Sequence, residues 1–147
     1  MNFNRLVQLV EAKKPKDVNL VLISDLVDKA HETGVRLSPE DEARITDSES
    51  AWQYAAEVAK CRVPAIEKTL LHNSRSGPIA YYALDVIKGR WPEAETILAT
   101  DHLSDGYSVC IYADAIHRRF IPGEYLTIRD TGDTDLYIKG LKTLNLA

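Results

Sequence analysis

Six cations recur beside prolines along this chain. Lys60, Lys88 and Arg118 lie four residues before a proline, Arg62 and Arg90 lie two before it, and Arg119 sits alongside. Stacked copies of one unit would align them into a ladder along one edge, able to meet phosphates or an acidic partner. A structural role explains the same positions, because a cation at the C-terminal end of a helix complements its dipole and can pair with a glutamate of the next helix. That reading is preferred, although the two can hold together. Trp91 could be an exposed anchor, since tryptophan is favoured at binding hot spots. The plainer reading is that it covers the bend between two helices. Lys60, Arg62, Lys88, Arg90, Trp91, Arg118 and Arg119 are thus the candidate partner-binding residues.

Other chemistry is thinner. His72, His102 and His117 could meet in space, and Asp101, His102 and Asp105 could form a metal site or supply a general base. No ligand spacing supports this, and isolated surface histidines are the plainer reading. Asp130-Thr131-Gly132 matches the triplet of aspartic proteases, but Arg129 precedes it and only 15 residues follow, so it reads as a loop of turn formers. His31-Glu32 lacks the second histidine of a zinc-protease helix, and Gly140-Leu141-Lys142-Thr143 lacks the glycine before the lysine of a phosphate loop. The expectation is a chain without catalytic, metal or cofactor site.

The elements that would carry these residues come from a repeat. Alanine stands nine positions before a proline four times, at Ala30/Pro39, Ala55/Pro64, Ala83/Pro92 and Ala113/Pro122. Positions thirteen, nine and six before each proline share one helical face. Ten before it, three units carry Tyr54, Tyr82 and Tyr112, and the first carries Lys29. Three after it come Glu42, Glu67 and Glu95, with Tyr125 in the last unit. Each unit therefore reads as helix, sharp elbow, helix, with proline opening the second helix where its missing N–H is no loss. Ser38-Pro39-Glu40-Asp41 is the best single helix start. Polar loops are expected over Thr46–Ser50, His72–Gly77, Thr100–Gly106 and Arg129–Thr134.

At 147 residues the chain suits one domain, with 45% hydrophobic and 27% charged residues. Its net charge of −4 gives no general attraction to nucleic acid or anionic membranes. Nothing approaches the roughly 18 apolar residues of a membrane helix, and the opening segment lacks a signal-peptide pattern. Cys61 and Cys110 each fall within a helical pattern and read as buried free thiols. A cytoplasmic protein is expected.

The segment from Tyr82 to Glu95, Tyr-Ala-Leu-Asp-Val-Ile-Lys-Gly-Arg-Trp-Pro-Glu-Ala-Glu, resembles a unit of uncharacterised bacteriophage and bacterial proteins with tandem "YAxxVIxGRWPEAE" repeats. The preceding unit keeps Tyr54, Ala55, Val58, Lys60, Arg62, Pro64 and Glu67, and the following one keeps Tyr112, Ala113, Ile116 and Pro122. The resemblance implies a phage or mobile-element origin and the cytoplasm of a bacterial host, and it brings no biochemistry.

The expected fold is all-α: two-helix repeats stacked as a small solenoid-like bundle of either hand, eight to ten helices in all. A cap would occupy 1–17, repeat units about 18–46, 47–72, 73–100 and 101–129, and a partial unit 130–147. The expected function is non-catalytic binding of a host protein, with a host enzyme or defence complex as the expected target. Its rivals are a nucleic-acid binder using the Lys/Arg ladder and a small enzyme with a His/Asp site.

Overall fold

The computed structural model describes residues 22–132 together with 139, 141 and 142. The expected cap over 1–17 and most of the partial unit lie outside the described residues. What is described is all-helical. Its eight α-helices are α1 (Ile23–Thr33), α2 (Pro39–Glu42), α3 (Ser48–Tyr54), α4 (Pro64–Asn73), α5 (Ser76–Tyr82), α6 (Pro92–Leu98), α7 (Gly106–Ile116) and α8 (Glu124–Thr131). Contacts run between neighbours: α1 with α3, α3 with α5 and α5 with α7 among the first helices, α2 with α4 and α4 with α6 among the second. One continuous core joins all units, from Val27 and Ala30 through Ile66, Leu70 and Ile79 to Val109 and Leu126.

Local chemistry sets the helix ends. Ser38, Asp47 and Asp105 cap α2, α3 and α7, their side-chain oxygens accepting the N–H groups of Asp41, Ser50 and Ser108. Asp47 is held below its ordinary carboxyl range mainly by that Ser50 N–H. The helices consequently start earlier than the expected loops allow. Ser48–Ser50 and Ser76–Gly77 lie in first turns, and Arg129–Thr131 closes α8. Prolines 39, 64 and 92 each stand at the first helical position.

The constant alanine-to-proline count conceals two compensating differences. In the middle units the first helix ends in a π-helical turn, Ala55–Ala59 and Ala83–Ile87, so Lys60 and Lys88 donate back five residues to the Ala55 and Ala83 carbonyls. In the end units Gly34 and His117 close on Ala30 and Ala113 only four residues back. The end units regain the missing residue in the elbow: Arg36 and Arg119 precede their prolines by three, whereas Arg62 and Arg90 precede theirs by two. The four alanines themselves are buried, as close helix contact demands. Left-handed residues at Gly34, Lys60, Lys88 and His117 terminate the first helices, three of them without glycine's freedom.

A close backbone approach joins α7 to α8 at Gly106. A Cβ on Gly106 would lie 2.4 Å from the Thr127 Cα. Thr127 Oγ1 donates to the Gly106 carbonyl at 3.2 Å, and the Asp130 carboxylate accepts the Gly106 N–H at 2.5 Å. That N–H, then Arg129, holds Asp130 below the ordinary carboxyl range. Asp130-Thr131-Gly132 is accordingly a helix end, with Gly132 as its left-handed cap. Gly106→Ala forces the two backbones apart and is expected to cost about 1–3 kcal/mol, measured by urea unfolding against wild type. An unchanged midpoint would refute this crossing.

Candidate functional site

The elbows place the seven candidate residues. At each elbow an arginine forms a two-point pair with a glutamate of the following helix: Arg36 with Glu42, Arg62 with Glu67, Arg90 with Glu95 and Arg119 with Glu124, with Nε–Oε1 distances of 2.6–2.7 Å. Planar guanidinium and carboxylate match in this geometry. Every elbow keeps the Arg–Glu pair, six residues apart in the first unit and five in the others, and counted from the arginine the proline slips by one in both end units. Glu124, not Tyr125, is the counterpart of Glu95, while Arg119 is the counterpart of Arg90. Arg118 is therefore not the equivalent of Lys60 and Lys88; His117 is. Arg36, absent from the candidate set, belongs in the series. The recurring Arg-to-Glu spacing of five or six residues was the signal that could have revealed it.

The repeating tyrosines complete the network across unit boundaries. Tyr54 Oη donates to Glu42 at 2.8 Å and accepts the Leu37 N–H at 2.9 Å. Tyr82 does the same with Glu67 and Val63, at 3.0 Å each. Tyr112 reaches Glu95 at 2.8 Å and the Trp91 N–H at 2.9 Å. Each tyrosine belongs to the unit after the elbow it serves, and all three are fully buried. Burial first, then the nearby carboxylate, raises their phenols, Tyr54 to about 12 and Tyr82 and Tyr112 beyond it. Glu95 is depressed, chiefly by Arg90.

Trp91 is only 1% exposed, and its ring packs 5.1 Å from that of Tyr82. Its place in the series is held elsewhere by Leu37, Val63 and Phe120, apolar plugs under the elbow. Burial therefore removes Trp91 from the surface candidates. Cys61 departs from expectation in the opposite sense: it is exposed within an elbow, where its Sγ accepts Arg36 Nη1 at 3.4 Å. Cys110 is half-buried, which raises its thiol pKa.

With the arginine charges balanced by glutamates, the elbow edge keeps Lys60, Lys88 and Arg118, all exposed and in no salt bridge among the described residues, although the charge of Lys88 acts on Asp85 and that of Arg118 on Glu95. A groove of about 340 Å³ opens between the third and fourth elbows, lined by apolar Ile116, Phe120, Ile121 and Pro122 and by Arg90, Arg118, Arg119 and Glu95. Within it Ile121 is 68% exposed, and Tyr125 is exposed too.

Of the alternative His/Asp set, His102 and Asp105 line one groove, without His72 or His117. Asp101 pairs with Arg129, and Asp105 also serves as the α7 cap. Among the described residues no cluster of three or more His, Cys, Asp or Glu is arranged to hold a metal ion, and no helix is long and apolar enough to cross a membrane. No family model, curated protein or solved structure matches the chain.

Two outcomes test the network. Tyr82→Phe strands the buried Val63 N–H and is expected to lower stability by about 1–3 kcal/mol; a loss confined to a few tenths would refute the junction. The fold holds each phenol neutral with a raised pKa, so this contribution is complete below the ordinary tyrosine pKa of about 10. For Tyr54 it falls away as pH climbs from there through about 12. Unfolding midpoints measured across that window should drop more steeply in wild type than in Tyr54→Phe.

Proposed function

We propose that this chain is a non-catalytic helical-repeat protein that binds another protein through its elbow edge. The observation that carries the reading is the internal neutralisation of the elbow arginines. Each has its charge met by a glutamate, so the apparent ladder shrinks to Lys60, Lys88 and Arg118, of which Arg118 borders the groove that exposed Ile121 also lines. An apolar patch rimmed by cations suits a partner surface of mixed apolar and acidic character.

Magnitude argues against nucleic acid. Three unbalanced cations would give a salt slope near −2.7, roughly fortyfold weakening between 50 and 200 mM salt. A protein that makes 6–10 phosphate contacts loses about 10³–10⁵-fold in affinity over the same range, so three cations supply only a fraction of such a hold. A phage-encoded accessory acting on a host protein, such as a defence component in the bacterial cytoplasm, is the biological form this takes. That step rests on the resemblance of Tyr82–Glu95 to phage repeat units.

A tagged full-length chain is expected to recover a specific protein from lysate of its native host, and the complex should re-form from purified components. The pair Arg118→Glu and Ile121→Asp should weaken it by about tenfold or more, measured by calorimetry, while leaving the helical signal unchanged. Recovery of no partner by a well-folded chain, or gel-shift of DNA or RNA that survives 200 mM salt, would overturn the proposal.

A further inference from the structure

A second surface lies toward the N-terminal ends of the first helices, away from the elbows at their C-terminal ends. There an aromatic row crosses three successive units. Trp52 of α3 stacks on Tyr81 of α5, with ring centroids 5.0 Å apart and planes 17° from parallel. Tyr81 in turn shares a hydroxyl–hydroxyl hydrogen bond of 3.0 Å with Tyr107 of α7. Unlike Tyr54, Tyr82 and Tyr112, these rings hold no elbow. Trp52 and Tyr81 are half-buried, and Tyr107 is 67% exposed. The Trp52 indole N–H has no acceptor among the described residues, so stacking rather than hydrogen bonding orients that ring.

A groove of about 400 Å³ adjoins the row, with Tyr81 in its wall and Glu49 and Asp105 among its lining. Asp85 stands on the π turn that follows Tyr81. Glu49 and Asp85 both act electrostatically on the Tyr81 phenol and, after its hydrogen bond to Tyr107, help hold its proton on. Arg75 is the opposing cation in the groove, and its charge also acts on Asp47. Lys88 acts in turn on Asp85, so three carboxylates, Glu49, Asp85 and Asp105, face two cations, Arg75 and Lys88, around the ring surface. That combination repels a phosphate backbone and favours a cation able to lie on an aromatic face. A guanidinium fits both demands better than an ammonium, because it is planar, weakly hydrated and stacks.

We infer that the Trp52–Tyr81–Tyr107 row and its acidic groove form a docking site for an arginine-bearing segment of a partner protein. The inference rests on the protein-binding reading above but uses a different face, so either surface can fail alone.

The test uses the full chain labelled with nitrogen-15 at physiological ionic strength. Tetra-arginine amide is titrated, with tetralysine amide, tetraglutamate and an eight-nucleotide oligothymidine as comparators. The indole N–H resonance of Trp52, assigned with Trp52→Phe, should shift saturably with tetra-arginine, while that of Trp91 stays in place. Tetralysine should bind about threefold or more weakly, and the other two should leave the resonance unmoved. Tyr107→Ala combined with Glu49→Gln should weaken tetra-arginine binding about fivefold or more, whereas Arg118→Glu at the elbow edge should not weaken it. No shift at millimolar tetra-arginine, equal binding of tetralysine, indifference to the double substitution, or a response to oligothymidine would each overturn the inference.

Discussion

Three buried tyrosine hydroxyls tie the units of this fold to one another, and each works as donor and acceptor at once. The proton goes to a glutamate of the preceding unit, while the oxygen receives a backbone N–H from that unit's elbow. The elbow N–H would otherwise be buried without a partner, and the glutamate's charge is met from its other side by an arginine. Four groups from two units are thus satisfied together, so loss of any one exposes the others to an uncompensated desolvation cost. Leu37, Val63, Trp91 and Phe120 then fill the space beneath, and the edge-on contact of Phe120 with Tyr112 at 5.0 Å shows how tightly.

Much of this architecture was legible in the residues. Alanine at the close helix contact, proline at the start of the second helix and serine at the best cap all stand where side-chain size and backbone chemistry place them. The roles of the arginines were legible only in outline. Proline is the conspicuous marker of register in the sequence, yet it is tolerated at two neighbouring positions of an elbow. Two-point pairing recurs at every elbow, so the arginine–glutamate pair marks equivalence better, although the pair is six residues apart in the first unit and five in the others. The π turns leave no distinctive signature, because a run such as Ala55–Ala59 suits an α-helix equally well. Trp91 could not be placed on either side of the surface by sequence, since a bulky aromatic satisfies both an elbow plug and an exposed anchor.

The same network divides the charged residues by purpose. Four arginines that would dominate a charge map are committed inward to glutamates, whereas lysines and a lone arginine retain their fields. The aromatic residues divide likewise: Tyr82 and Trp91 lie in the core, while adjacent Tyr81 reaches along the surface toward Tyr107. Neighbours in sequence thereby divide between core and surface.

The offsetting π turn and elbow residue carry a consequence for how such a chain can vary. A single added residue would ordinarily rotate everything after it by 100° on a helix and misalign the next tyrosine with its glutamate. Here the surplus residue sits before the arginine in the middle units and after it in the outer ones, and the distance from alanine to proline is unchanged. Each unit works like a vernier, taking up a local length error before it reaches its neighbour. From alanine to the pairing glutamate the first three units keep 12 residues and the last has 11, so the first unit takes up the offset fully and the last only as far as its proline.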